Sequence, residues 1–597
     1  MKYRAEIDGL RALAVVPVIL FHAGFELFSG GFVGVDVFFV ISGYLITTIL
    51  IEDIENKRFS IVNFYERRAR RILPALFVVM FIALLPAYFV MLPDELQNFG
   101  QSLVATTLFA NNMLLYLTTD YWALQAEFKP LLHTWSLGVE EQYYVLFPIF
   151  LIFAWRFGKN RVFWIIVVMA AISLMLSEWG WRNKATTNFY LGPTRAWELF
   201  AGSIAAFIVQ KQGVQKNNPL ALLGLSAIIF SIFFYDENTP FPSVYALVPV
   251  FGVVLLVLYA DKETIAAKLL STKGFVGIGL ISYSTYLWHQ PVFSYSRMLS
   301  NGELSFISGL MAIFITIIFA ILTWKFIEQP FRKKDILARN RLIVLITIVS
   351  IFFTSIGLIL HFTGGFSKSF YGYSNYGSAD VWTKYIERVT VGYGDNNFDD
   401  SKRVKVLVIG SSYAADFINS LDEAGIMDNV NLLYRHKKEI SQCDLANYNA
   451  DNYLINRAEI VIFGFESLDG CSRAAFDNLK RRGKTAYYVS YKNFGYNRGW
   501  ARLELLLNGE LVNPYSKRWG AEIIVNSEIK KTFSEGELID IQQMFGGPNN
   551  SLVRIVDSTN RLFSVDRTHL TQPGAEFLGN QLILSNHPLL QFLIKSE

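Results

Sequence analysis

At 597 residues, 52% apolar and 15% aromatic but only 17% charged, the chain is too oily for a soluble enzyme and fits an integral membrane protein with a soluble part. The formal net charge of +4 is small, and its distribution along the chain matters more than its size. No nucleic-acid partner is expected.

The first apolar helix runs from Ile7 through Phe21 and carries Arg11 and His22. Eleven steps of about 100° return the second side chain to within roughly 20° of the first, so both occupy one face, roughly 16 Å apart along the axis. Charged and titratable groups in hydrocarbon are costly and mark a pathway or a site. The plainer alternative is an arginine reaching the headgroups and a histidine satisfied by a neighbouring helix. An acidic residue precedes this helix and no small-residue cleavage site comes after it, so it is expected to be a retained span.

Apolar segments long enough to cross a bilayer occur at 10–26, 32–51, 73–92, 137–155, 162–178, 194–210, 219–235, 244–260, 275–294, 305–327 and 342–360. A weaker candidate, 98–117, contains Gln101, Asn111 and Asn112. Without it, and with a cytoplasmic N-terminus, nineteen basic residues fall in inside loops and four in outside loops. Letting it cross would invert every later loop. The expectation is therefore eleven spans, with 98–117 re-entrant or surface-lying and everything after about 361 outside the cytoplasm.

Residues 364–402, rich in Gly, Ser, Tyr and Asn, read as a linker or an extension packed on the next domain. Short apolar runs at 404–410, 459–464, 486–490 and 553–557 predict strands, and 412–425, 470–483 and 535–545 predict helices between them. Such alternation argues for a parallel α/β sheet. Cys443 and Cys471 can form a disulfide if this part is exported, or remain two thiols.

In the membrane part, His22, His133 and His289 are the only histidines before residue 361, and the topology puts all three near the outer side. Groups titrating near neutral pH suit proton transfer during acyl transfer. Asp36, Glu140 and Glu141 are further polar groups in apolar surroundings, and Arg195 and Glu198, three apart, can pair with each other. Arg67, Arg68, Arg70 and Arg71 are by default the flank of a span, and equally suit the phosphates of a cytoplasmic donor.

Together these pieces resemble the acyltransferase-3 family of membrane acyltransferases. The likeness rests on Arg11 and His22 with ten residues between them, Phe38-Phe39-Val40-Ile41-Ser42-Gly43, Arg67 to Pro74, and His133-Thr134-Trp135-Ser136-Leu137 with Glu140. It continues in Ser282-Tyr283-Ser284-Thr285-Tyr286-Leu287-Trp288-His289 and Glu328-Gln329-Pro330-Phe331-Arg332. It covers 1–335 in order. The resemblance implies ten core spans, an essential Arg11 and His22, an acyl donor bound near Arg67, Arg68, Arg70 and Arg71, and supporting roles for Asp36, Ser42, His133, Glu140 and His289.

Downstream, Gly410-Ser411-Ser412 closes a strand and opens a helix, where backbone N–H groups can stabilise an oxyanion. Asp566-Arg567-Thr568-His569 offers a histidine with a carboxylate three residues before it. Serine early and Asp-x-x-His late resembles the SGNH hydrolase fold, which implies Ser412 as nucleophile, His569 as base and Asp566 as its orienting group. Ser411 stands where that family carries aspartate, and Gly464-Phe465-Glu466-Ser467 lacks its oxyanion asparagine. His436 and His587 read as surface residues.

The domains are therefore expected at 1–335 (membrane acyltransferase), 336–363 (eleventh span), 364–402 (linker or extension) and 403–597 (periplasmic SGNH-like). The resemblance implies a multi-pass protein of the bacterial inner membrane, amid membrane lipids, that moves an acetyl group from cytoplasmic acetyl-CoA to a lipid-linked or surface glycan such as lipopolysaccharide O-antigen. No metal is expected. Peptidoglycan is the alternative acceptor, and a flippase or transporter of a lipid-linked sugar is the alternative class.

Overall fold

The computed structural model describes residues 3–118, 126–300, 304–333, 336–366, 380–400 and 403–594, the last with breaks at 438, 441, 447–452, 466–467, 469, 496–502, 505–506, 509–510, 512, 519, 548, 550 and 565–567. The chain forms two compact units. One comprises Met1–Tyr88, Asn98–Arg297 and Glu303–His361; the other comprises Phe89–Gln97, Met298–Gly302 and Phe362–Glu597.

The first unit is helical, as a backbone surrounded by hydrocarbon must be. Among the described residues, six helices are long and apolar enough to cross a membrane: Gly31–Glu55, Ile61–Val90, Thr134–Trp155, Lys159–Asn183, Phe306–Arg332 and Arg339–Phe362. Asn218–Phe234 and Val244–Tyr259 are shorter apolar helices. The first helix, Ala5–His22, and the helices Gly192–Gln212 and Lys273–Leu299 complete the bundle. Helices Gly34–Glu55 and Gly192–Gln212 touch backbone to backbone: a Cβ on Gly43 would lie 1.9 Å from the Leu199 carbonyl oxygen, and one on Gly202 would lie 2.0 Å from that of Val40.

The weak segment 98–117 is not one helix. It breaks between Pro93–Thr107 and Asn111–Thr118. Its polar residues are the anchors of the break: Asn111 Nδ2 donates to the Leu131 carbonyl at 2.9 Å, and Asn112 Nδ2 to that of Tyr190 at 3.1 Å.

In the second unit a five-stranded sheet has the order β2-β1-β3-β4-β6, every pairing parallel. Its strands are β1 (Val404–Gly410), β2 (Val430–His436), β3 (Ile460–Gly464), β4 (Thr485–Val489) and β6 (Leu538–Ile539). Val406 and Val408 enter one apolar cluster, Leu407 and Ile409 the other, so both faces of β1 are covered. Two expectations are corrected. The run 553–557 is not in this sheet: β7 (Leu552–Arg554) pairs antiparallel with β5 (Tyr515–Lys517). The stretch 535–545 is not one helix either, since it contains β6 and only the short helix Ile541–Met544.

Within 364–402, helix Asp380–Tyr393 buries Tyr385 and Val389 in the core of the sheet unit. Cys443 and Cys471 form a disulfide.

Candidate functional site

The helical unit brings several of the expected site residues to one cavity of about 90 Å³. Arg11, Ser42, Arg68, Arg71, Glu140 and Tyr286 are among its lining residues. Glu140 accepts hydrogen bonds from Ser42 Oγ and from the Tyr144 hydroxyl, each at 3.1 Å, and the Arg68 guanidinium lies 4.0 Å from the Tyr144 ring centre. Arg11 reaches Asp8 at 3.5 Å. Arg67 and Arg70 are turned away from the cavity. Arg67 is exposed and pairs with Asp53 at 3.2 Å; Arg70 is buried against Glu66 at 2.9 Å and donates to the Leu337 carbonyl at 2.7 Å. Around the helix the four run in the order Arg70, Arg67, Arg71, Arg68, so the cavity takes the two at one end of this arc, while Arg70 at the other end is held by Glu66 and the Leu337 carbonyl.

Asp36 also lies apart from the cavity: its carboxylate meets Arg195 at 2.9 Å, and the same guanidinium pairs with Glu198 at 2.9 Å.

The three histidines do meet. His289 packs against His22 with ring centres 5.1 Å apart and against His133 at 5.4 Å. His22 Nδ1 lies 2.8 Å from the Val18 carbonyl and His289 Nδ1 2.5 Å from that of Tyr286. A carbonyl only accepts, so each ring presents an Nδ1 proton to it and turns Nε2 the other way. Tyr286 touches both regions. Its ring contacts His133 and His289 at 5.4 and 5.2 Å, and its hydroxyl bonds Ser136 Oγ at 2.7 Å and the His133 carbonyl at 3.1 Å. Arg297 donates to the His22 carbonyl, which fixes the end of the first helix.

In the sheet unit the strand order reverses at β1, with β2 on one side and β3 on the other. The crevice at the carboxyl ends of strands around such a reversal is where open parallel sheets bind ligands. Ser412 stands there, the first residue of helix Ser412–Glu423, and Ser411 caps the helix by accepting from the Tyr413 N–H. Gly410 and Gly464 pair across β1 and β3. A Cβ on Gly464 would lie 2.8 Å from Ala414 Cα, so the absence of side chains lets the helix start seat against β3.

Ser412 Oγ and His569 Nε2 lie 2.8 Å apart, and both residues are buried. His569 Nδ1 lies 3.1 Å from Thr568 Oγ1. Asp566, Glu466 and Ser467 lie outside the described residues. The serine–imidazole contact can transfer a proton from a nucleophilic hydroxyl. His436 and His587 are both half-buried rather than surface residues, and His587 has Nε2 3.2 Å from the Leu538 carbonyl and Nδ1 accepting from the Leu589 N–H at 3.2 Å.

Sequence reading missed Tyr286, although it sits in the Ser282–His289 block three residues before the histidine. It also missed Asp416, which comes one helical turn after Ser412, and Lys492, which no motif marks. No group of three or more metal-ligating side chains occurs among the described residues.

The acyltransferase domain of family 3 matches residues 4–325, more than half of the chain, and the chain belongs to that family. Among its relatives, the peptidoglycan O-acetyltransferase OatA of Listeria monocytogenes is 30% identical over 352 residues, 56% of this chain and 56% of that protein. The O-acetyltransferase OatA of Staphylococcus aureus is 30% identical over 381 residues, 59% of this chain and 62% of that protein. The chain thus spans less than two thirds of the length of the curated relatives it matches. A solved structure, the periplasmic domain of a Salmonella ser. Paratyphi A lipopolysaccharide acetyltransferase, matches 35% of this chain and 97% of its own at 16% identity, with a TM-score of 0.26. At that score the likeness carries no weight in assigning a fold or a role.

Proposed function

We propose that the protein is an O-acetyltransferase of a cell-surface glycan, taking its acyl group from acetyl-CoA at the cytoplasmic face. The observation that carries the reading is the first helix, with Arg11 on the arginine-lined cavity and His22 in the histidine cluster. Arg11, Arg68 and Arg71 suit the phosphates of the donor. His22, through Nε2, acts as base or transient acceptor near the outer side.

The positive-inside count supports eleven spans, an N-terminus in the cytoplasm and residues 403–597 in the periplasm of a bacterium. The boundaries 1–335, 336–363, 364–402 and 403–597 rest on the extent of the resemblance, the last apolar segment and the change in composition after it, and the disulfide suits an oxidising compartment. We read the sheet unit as SGNH-like. The Ser412 hydroxyl attacks the acyl group, His569 takes the serine's proton and hands it to the departing acyl carrier, and Asp566 orients the imidazole. The neutral His569 then deprotonates a sugar hydroxyl, which attacks the ester, and the same proton returns to Ser412 as it leaves. The acceptor is lipopolysaccharide O-antigen or peptidoglycan, and the name of the Listeria relative supports the second.

Membranes given acetyl-labelled CoA test this. Labelled glycan is expected with wild type, and none with His22→Ala. Loss with His22→Ala but not with Ser412→Ala would reject the serine step and keep the membrane chemistry. No label with wild type would favour a flippase for a lipid-linked sugar.

A further inference from the structure

Asp416 and Lys492 are both buried, and neither belongs to any motif that marks the site. Asp416 lies one helical turn after Ser412. Its Oδ2 atom accepts from Lys492 Nζ at 2.7 Å and from the backbone N–H of Leu570 at 3.2 Å. Leu570 directly follows His569. Two rungs therefore join the same two stretches of chain: Ser412 to His569 at 2.8 Å, and the Asp416 carboxylate to the Leu570 amide at 3.2 Å. Lys492 comes three residues after β4, and its ammonium lies 4.2 Å from the ring centre of Tyr413, the neighbour of Ser412.

Packing alone does not ask for this arrangement, since apolar residues of similar volume fill such a place at least as stably as a buried ion pair. What the pair supplies is geometry. A carboxylate held by a cation accepts a strong, directional bond from one particular amide. That amide belongs to the residue after the imidazole.

We infer that Asp416 and Lys492 are positioning residues. The carboxylate holds the His569–Leu570 segment at the height where the imidazole meets Ser412 Oγ, and the ammonium neutralises and aims that carboxylate. The inference rests on the reading of Ser412 and His569 as an acyl-transferring pair. Misplacing a reacting group by about 1 Å lowers turnover about a hundredfold.

The test uses the full chain in detergent micelles turning over p-nitrophenyl acetate, with kcat normalised to folded protein. Asp416→Ala is expected to lower kcat at least about tenfold with KM changed less than about twofold. Asp416→Asn, which keeps an oxygen for the Leu570 N–H but loses the ion pair, is expected to retain more of kcat than Asp416→Ala. Lys492→Met lowers kcat and Lys492→Arg restores it. Wild-type kcat in Asp416→Ala beside an inactive Ser412→Ala overturns the inference and leaves the parent reading standing. So does an equal loss in Asp416→Asn and Asp416→Ala. Undiminished turnover in Ser412→Ala removes the parent reading and this inference with it.

Discussion

Arg195 and Asp36, 159 residues apart, form a fully buried ion pair at 2.9 Å. Glu198 shares the guanidinium, and the rings of Phe39 and Trp135 each lie 5.5 Å from it. Two carboxyl groups depend on one cation, and removing one member of a buried pair costs about 3–5 kcal/mol. Arg195→Met is therefore expected to lower thermal stability sharply, as read by the melting of purified protein on size-exclusion chromatography. The same variant, assayed below its melting point, keeps its KM for acetyl-CoA.

The four clustered arginines are expected to separate by role. A hydrogen bond to a charged group contributes about 1.5–3 kcal/mol, so Arg68→Ala or Arg71→Ala raises KM for acetyl-CoA about tenfold or more. Arg67→Ala, at the exposed pair with Asp53, changes it less than about twofold. Arg70→Ala removes one of the two cations on Glu66, which keeps Arg339 at 2.7 Å, together with the bond to the Leu337 carbonyl, and lowers stability instead of affinity. Steady-state kinetics on the four alanine variants measures the separation.

The Cys443–Cys471 bridge closes a loop with a sequence separation of 28 residues. A loop of that length adds about 3.5 kcal/mol by restricting the unfolded chain. The double serine variant is expected to lose about that much in urea unfolding followed at the sheet unit, and reducing agent should reproduce the loss in the wild type.

His587 gives the sheet unit an acid limb. Burial lowers its pKa below the ordinary 6.5, opposed by the bond to the Leu538 carbonyl. The neutral ring uses its Nδ1 lone pair to cap helix Pro588–Leu593, and protonation removes that lone pair. The folded value is depressed, so the contribution is complete above the ordinary value and is lost as pH falls through the lower folded one. The protection factors of the amides in 588–593, exchange rates taken relative to the intrinsic rate at each pH, are expected to fall as pH is lowered from 7 to 5, and to be pH-independent in His587→Ala.

Much of this was legible in the sequence. All eleven apolar segments are largely helical, and the runs at 404–410, 459–464 and 486–490 are parallel strands. Ser412 and His569 were each read from a local pattern, and the structure brings the two within 2.8 Å. β2 was not, because Asn431, Arg435 and His436 interrupt its apolar run. The structure satisfies Arg435 with the carbonyls of Tyr434 and Asp395, and Asn431 with that of Asp399, partners that no periodicity reveals. The strand expected at 553–557 is present as Leu552–Arg554, but it pairs antiparallel with Tyr515–Lys517 instead of joining the parallel sheet. Helical period alone does not set Arg67 apart from Arg71, four residues on and about 40° round the helix, so their separation, like the place of Lys492, comes from tertiary folding.

The seam between Gly410 and Gly464 makes the serine's position depend on atoms the chain does not possess. A single methyl on Gly464 would wedge the adjoining helix outward, carrying Ser412 away from an imidazole anchored 157 residues later. Reactivity here is thus exposed to the smallest possible increase in bulk, at a residue that performs no chemistry itself.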